Sequence, residues 1–251
     1  MKLTELKRWL DDYLVIDGLK DASLNGLQVE GSDTVTRVAC AVDTSLAGIQ
    51  QALERGAELM FVHHGLFWGR PWRVVGHYKA RLKALFEGDL SLYAAHLPLD
   101  AHPEVGNNAV VLRGLGASEL EPFGRLGRDA IGWAATLEPA VSIDELCARL
   151  ARVVGGPVSH IGAGPDAIRR VGVITGAAAR SVEEAAAFGL DAFITGETDH
   201  ASYHVPFELG IHLLFGGHYQ TETVGPRAMM DKLAATFPEL ETFFIDHPTG
   251  M

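Results

Sequence analysis

The chain has 251 residues, 47% of them hydrophobic, a net charge of −11 and a pI near 5.4. It is long enough to bury a real core, and its acidity excludes general nucleic-acid binding, which needs a basic face. Cys40 and Cys147 form no CxxC pair, which argues against a thiolate zinc site or a disulfide scaffold; both read as small buried hydrophobes.

Acidic Glu5, Asp11 and Asp12 interrupt any apolar stretch near the N-terminus, so no signal peptide is expected. No run reaches the roughly 18 apolar residues of a membrane span. The expectation is a cytoplasmic protein without membrane contact. Leu3, Leu6, Trp9, Leu10, Tyr13 and Leu14 recur at helical spacing and predict an amphipathic helix.

A strand is predicted over 37–43, followed by a helix that Thr44 or Ser45 caps and that carries Leu46, Ile49 and Leu53 on one face. Gly56 ends this helix. A buried strand then runs through Val62 into His63, His64 and Gly65. The stretch 90–95 predicts another strand with His96 at its exit. Pro98 argues against a helix there, which puts Asp100 on a loop.

Gly, Pro and charges cluster over 114–129, and the chain is divided there into a first α/β half, 1–124, and a second, 125–251. A helix is predicted over 142–154, with Ser142 and Glu145 as its capping box. The stretch 155–166 reads as a Gly/Pro-rich loop, with Gly162-Ala163-Gly164 making a turn before Pro165. A strand over 170–176 leads to a helix with Ser181 and Glu184 as capping box and Val182, Ala185 and Phe188 as its stripe. Gly189 ends it, and a strand covers 192–195. The last strand–helix pair is 211–215, then Gly216-Gly217-His218, then a helix from near Glu222 through Leu233.

The pattern repeats. Arg37 and Arg170 are 133 residues apart, and so are Gly56 and Gly189. His96-x-x-x-Asp100 and His218-x-x-x-Glu222 repeat at a spacing of 122. These echoes predict two duplicated, intertwined α/β halves, with mostly parallel sheets and helices packed on them.

Open α/β sheets place ligands at the carboxyl ends of their strands. His63-His64, His96-x-x-x-Asp100 and His218-x-x-x-Glu222 each follow a predicted strand, and their donors suit a metal. Neighbouring side chains on a strand point to opposite faces. Both histidines therefore reach one ion only if the backbone bends, for which Gly65 is suited, or each serves one ion of a pair about 3.5–4 Å apart. Glu222 is the best bridging carboxylate. In the second half Gly196-Glu197 stands where His63-His64 stand in the first, so one composite site between the halves is expected.

His96 is read as an orienter or proton shuttle, and Glu197 as a general base; His200 and His204 could line the same cleft. Arg70, Trp72, Arg73, Tyr78, Lys79 and Arg81 make a local basic and aromatic cluster. It could hold a phosphate and stack a base, but a solvated helix face around 79–83 with core-packing tryptophans is preferred for most of it. Asn25, Gln28, Asn107 and Asn108 could fix turns. His77, His102, His160, His212 and His247 receive no role. A G-x-x-x-x-G-K-[ST] loop and a G-x-S-x-G elbow are absent from the sequence.

Seven stretches, 23–31, 42–45, 61–69, 93–100, 106–108, 195–197 and 217–222, together with Phe244-Ile245-Asp246 before Pro248, resemble the Nif-three-like family, the GTP cyclohydrolase 1 type 2 homologues. The resemblance spans nearly the whole chain and matches the short form without an inserted domain. It implies a two-metal site held by His63, His64, Asp100, His218 and Glu222, and a ring-shaped homohexamer.

The expected function is therefore a divalent-metal-dependent hydrolase acting on a small molecule, with zinc, manganese or iron as its two ions. If the family label holds, metal-activated hydroxide opens the imidazole ring of the guanine in GTP and formate leaves. The rivals are a two-metal phosphoesterase and a non-catalytic metal-binding or regulatory protein.

Overall fold

A computed structural model describes residues 1–250. The chain forms two compact units. It leaves the first after Leu99, builds the second from Asp100–Gly225, and returns to the first over Pro226–His247. Each unit carries one sheet, and the architecture is mixed α/β, as the strand–helix alternation predicts.

Unit 1 opens with α1 (Leu3–Leu14), whose Leu3, Leu6, Leu10 and Leu14 are buried. It continues through β1 (Gly26–Val29), β2 (Arg37–Asp43), α2 (Leu46–Glu54), β3 (Leu59–His64), α3 (Gly76–Glu87) and β4 (Ser91–Ala94). The four-residue helical turn α4 (Leu97–Asp100) follows. Pro98, expected to bar a helix here, is tolerated because a helix's first turn has no N–H partner to lose. Ser45, not Thr44, caps α2 by accepting from Gly48 N at 3.0 Å, while Thr44 Oγ1 donates to the His64 carbonyl at 2.9 Å.

Unit 2 holds α5 (Asn107–Gly114), β5 (Glu121–Leu126), β6 (Asp129–Val141), α6 (Ile143–Val154), β7 (Ser159–Gly162), β8 (Ile168–Val173), α7 (Val182–Ala187), β9 (Ala192–Thr195), α8 (Val205–Leu209) and β10 (His212–Phe215). The helix α9 (His218–Thr236) carries the chain back to unit 1, where β11 (Glu241–Phe244) completes the first sheet.

The unit 1 sheet has the order β1-β4-β3-β2-β11, parallel except at β1. Leu59, Met60 and Val62 of β3 are buried, and Met60 and Val62 pack with Ala39, Ala41, Ile49, Leu85 and Leu92 in its core. The unit 2 sheet has the order β5-β6-β8-β9-β10-β7, with a parallel centre of β8, β9 and β10 flanked by antiparallel strands. Two of those flanking strands occupy stretches expected to be a boundary and a loop. β5 forms a hairpin with β6, and β7 pairs with β10, from Ser159 opposite Phe215 to Gly162 opposite His212.

The duplication extends to hydrogen bonds. Arg37 Nη1 donates to the Arg55 carbonyl at 3.4 Å, and Arg170 Nη1 to the Phe188 carbonyl at 3.4 Å. The Glu58 carboxylate takes the N–H groups of Thr36 and Arg37, and that of Asp191 takes those of Arg169 and Arg170. All these equivalents keep the spacing of 133.

Ser91 pairs opposite Leu59 and His212 opposite Ala192, so the third strands correspond at 121 rather than 122. His96 therefore matches Gly217, which takes a positive φ of 84°, and His218 lies one residue further on. Two other readings change. The helix expected from Glu222 begins at His218, so His218 and Glu222 share a helix face. Ser181 makes no cap bond, and Glu184 accepts from Arg125 N at 2.9 Å instead.

Candidate metal centre

In unit 1 the carboxyl ends of three parallel strands deliver the donors. β2 ends at Asp43, β3 at His63-His64, and His96 lies two residues beyond β4. The rings of His63 and His64 lie 4.6 Å apart, and His96 lies 5.0 and 5.7 Å from them. One ring nitrogen from each of the three lies within 4.8 Å of the other two. The tandem histidines thus converge despite strand alternation. Gly65 contributes through space rather than through left-handed backbone: a Cβ there would lie 2.4 Å from Gln28 Nε2 and 2.6 Å from Ala94 Cβ.

Each of these imidazoles is oriented through Nδ1. His63 Nδ1 lies 3.0 Å from the Ala95 carbonyl, His64 Nδ1 2.9 Å from Asp43 Oδ1, and His96 Nδ1 3.0 Å from both Asp21 oxygens. Carbonyls and carboxylates only accept, so Nδ1 carries the proton in each ring. The neutral tautomer then keeps its lone pair on Nε2, the form a metal requires.

Burial works against ionising Asp21. Hydrogen bonds from His96, Asn25 and Ser23 outweigh it and hold the carboxyl well below the usual carboxylate range. Asn25, expected to form a turn, donates to Asp21 Oδ2 and accepts the His96 N–H at 2.8 Å.

In unit 2, His218 Nε2 lies 3.2 Å from Glu222 Oε2 and Nδ1 lies 3.1 Å from Glu197 Oε1. Glu222 is buried and His218 half-buried. The Glu222 hydrogen bond, opposed by burial and joined by Glu197, raises the His218 pKa to about 9. The raised pKa favours a proton on His218, whose Nε2 faces Glu222 Oε2, and both residues belong to a group that could hold a metal ion.

The backbone makes room for this pair. A Cβ on Gly176 (φ 69°) would lie 2.3 Å from Glu222 Oε1, and one on Gly196 2.7 Å from His218 Cα.

Asp100 is buried in unit 2. Its Oδ1 accepts from Asn107 Nδ2 at 2.9 Å and from Thr175 Oγ1 at 3.2 Å. Asn107 also accepts the Gly225 N–H at 2.7 Å, and Asn108 accepts the Thr175 N–H at 2.7 Å. Both asparagines are completely buried tethers rather than turn formers.

His200 and His204 are exposed, and His204 packs on Tyr203. Sequence reasoning assigned no role to Asp21, Asp43, Thr175 or Gly176. Asp43 could have been found, since it ends the strand that pairs with β3; Asp21 lies 75 residues from His96 with no spacing to reveal it.

A Deinococcus radiodurans protein named GTP cyclohydrolase 1 type 2 homolog is 45% identical over 247 residues, covering 98% of this chain and 94% of its own. A crystal structure of a Thermus thermophilus protein matches with a TM-score of 0.91 and 42% identity. The protein ybgI, described as of unknown function, matches with a TM-score of 0.92 and 36% identity. Both structures are covered completely, as is this chain. The profile of one family, described as Duf34/NIF3 (NGG1p interacting factor 3), runs over residues 1–250. With its duplicated strand ends, its histidine-rich donors and this end-to-end match, the chain belongs to the Duf34/NIF3 family.

Proposed function

We propose that the protein is a divalent-metal-dependent hydrolase whose two cations are held by His63, His64, Asp100, His218 and Glu222. One observation carries the reading. The imidazoles of unit 1 are each fixed at Nδ1 by an oxygen acceptor, the arrangement that orients ligand histidines in metal enzymes. Three imidazoles and two carboxylates suit zinc, manganese or ferrous iron, and five side chains shared by two ions leave each short of the four protein ligands of a closed structural zinc site, so positions stay open for water.

When bound, such cations lower the pKa of a coordinated water to about 7 and so supply a nucleophile at neutral pH. Glu197, at 3.1 Å from His218, accepts the proton released from the attacking water. His96, whose Nδ1–H is committed to Asp21, exchanges a proton with the leaving group through Nε2. Asp100, locked by Asn107 and Thr175, contributes a carboxylate that needs no reorganisation.

The name of the Deinococcus relative supports a nucleotide substrate, with the imidazole ring of guanine as the hydrolysed group. A ring-shaped homohexamer in the cytoplasm belongs to the same proposal. Native mass spectrometry tests the hexamer.

Metal analysis and turnover test the function. Protein loaded with zinc, manganese or iron should hold two ions per chain and hydrolyse GTP. Glu222→Ala should lose both properties with its circular dichroism unchanged. Metal-loaded protein that turns over neither GTP nor phosphoesters would leave a metal-binding protein without catalysis.

A further inference from the structure

A cavity of about 530 Å³ lies in unit 1 between two stretches of chain, 21–24 and 67–74. The Leu24 N–H donates to the Phe67 carbonyl at 2.9 Å, and Ser23 and Trp68 form an antiparallel bridge. Phe67, Trp68 and Trp72 give the cavity aromatic walls, and Arg70 adds a cation.

Two lining residues connect it to the histidines. The Trp68 ring stands edge-on to His96 at 5.0 Å and lies 5.9 Å from His64; its Nε1–H donates to the Gly65 carbonyl at 2.9 Å, which fixes the indole. Asp21 is the second, through its bond to His96. A third lining residue is Ser23. It is only 6% exposed, and its Oγ makes no hydrogen bond among the described residues. A buried hydroxyl is ordinarily satisfied.

We propose that this cavity binds a planar heteroaromatic ring carrying an anionic group, with the ring against Trp68 and Trp72, a polar ring edge at Ser23 and the anion at Arg70. Indole walls offer flat, polarisable area. Arginine offers forked donors to phosphate or carboxylate. An uncharged hydrocarbon would use the walls but neither the hydroxyl nor the guanidinium, and an aliphatic phosphate would use the guanidinium without the indole walls. Arg70 is the cation in the cavity lining, and the Asp21 carboxylate that also lines it is already taken up by His96, Asn25 and the N–H groups of Ser23 and Leu97. Only the claim that this ligand is the substrate rests on the metal-hydrolase reading; the binding itself does not.

The test uses the full chain with ¹⁵N-labelled indoles, since its four tryptophans are Trp9, Trp68, Trp72 and Trp133. The probes are guanosine 5′-monophosphate, ribose 5-phosphate and inorganic phosphate, each titrated with and without zinc. Guanosine monophosphate should shift the Trp68 and Trp72 signals and leave Trp9 and Trp133 in place. Ribose 5-phosphate and phosphate should bind roughly tenfold more weakly or worse, as loss of one base–aromatic stack implies. Trp72→Leu and Arg70→Gln should each weaken guanosine monophosphate by roughly tenfold while leaving zinc per chain unchanged.

Equal binding of the three probes, or shifts that spare Trp68, would overturn the proposal. So would a fall in oligomer mass in Leu24→Asp without any response to guanosine monophosphate in either form, because the exposed Leu24 and Val74 at the cavity would then belong to a contact between copies. Failure of the metal reading looks different: the chain would refuse zinc yet still respond at Trp68.

Discussion

The Asp21 carboxylate meets His96 Nδ1 with both oxygens at 3.0 Å, across 75 residues of sequence. The same carboxylate accepts from the N–H groups of Ser23 and Leu97 and from Asn25 Nδ2. It therefore fixes at once the approach to β1, the exit from β4 and the tautomer of His96.

These donors outweigh burial and depress the Asp21 pKa. A depressed carboxylate contributes stability that is present above its unfolded value and is lost as pH falls toward its folded one. The urea midpoint of the native chain should therefore exceed that of Asp21→Asn by a constant margin from pH 7 down to about 5. Below about 4, near the ordinary aspartate value, the margin should shrink. A margin independent of pH down to about 2 would show that the charge on Asp21 plays no part.

His218 supplies the opposite sign. Its pKa is raised to about 9, chiefly by the Glu222 hydrogen bond against the opposing effect of burial, with Glu197 adding to it. The stabilisation is complete below the ordinary histidine value of 6.5 and disappears as pH rises through about 9. In chelator-treated protein the stability advantage over His218→Asn should fall between about pH 6.5 and 9.5. Denaturant titrations at several pH values measure it. An advantage that grows with pH would mean that His218 is neutral in the folded chain.

The parallel strands, the helices between them and the spacing of 133 are legible in the sequence because they depend on local apolar periodicity and on glycines that end helices. Gly56 and Gly189 both take positive φ, 71° and 80°, as helix stops do. The hairpin strand β5 is hidden because Pro122, Gly124 and Gly127 look like loop residues, and its pairing with β6 is a tertiary preference. The start of α9 is obscured because Gly216-Gly217 reads as a flexible exit. The clustered histidines are visible through their place after strands, whereas Asp21 and Thr175 act through hydrogen bonds between residues 75 apart, beyond any local pattern.

Asn107 illustrates such a tether. It is completely buried, donates to Asp100 Oδ1 at 2.9 Å and accepts the Gly225 N–H at 2.7 Å. Asn107→Ala strands the Gly225 amide and removes one donor from Asp100. The expected loss of stability is about 1–3 kcal/mol, the cost of a buried group left unsatisfied. If Asp100 holds metal as proposed, the bound metal per chain should fall with it, because Asp100 loses its orientation. Urea denaturation and metal analysis on one preparation check both; unchanged stability would mean that water replaces the side chain.

Gly176 occupies the position that Asp43 holds in the first repeat, and it has changed role. Asp43 orients His64, whereas Gly176 clears space for Glu222. Gly176→Ala meets two obstacles. The backbone stands at φ 69°, where an L side chain costs roughly 1–2 kcal/mol. The new Cβ would also lie 2.3 Å from Glu222 Oε1 and 3.3 Å from His218 Nε2. The carboxylate must move, and it is buried, so the movement breaks its contact with His218. The variant should lose about 1–2 kcal/mol of stability from the backbone alone, and the His218 pKa should drop back toward 6.5, the ordinary value. Proton NMR titration of His218 separates the two effects. A second variant, Gly189→Ala, carries a similar positive φ of 80° but has only Arg170 Nη1, at 3.7 Å, near its new Cβ. It should show the backbone cost without the shift at His218. An equal shift in both variants would mean that the His218 titration reports general loosening of unit 2 rather than the fit of Glu222 against residue 176.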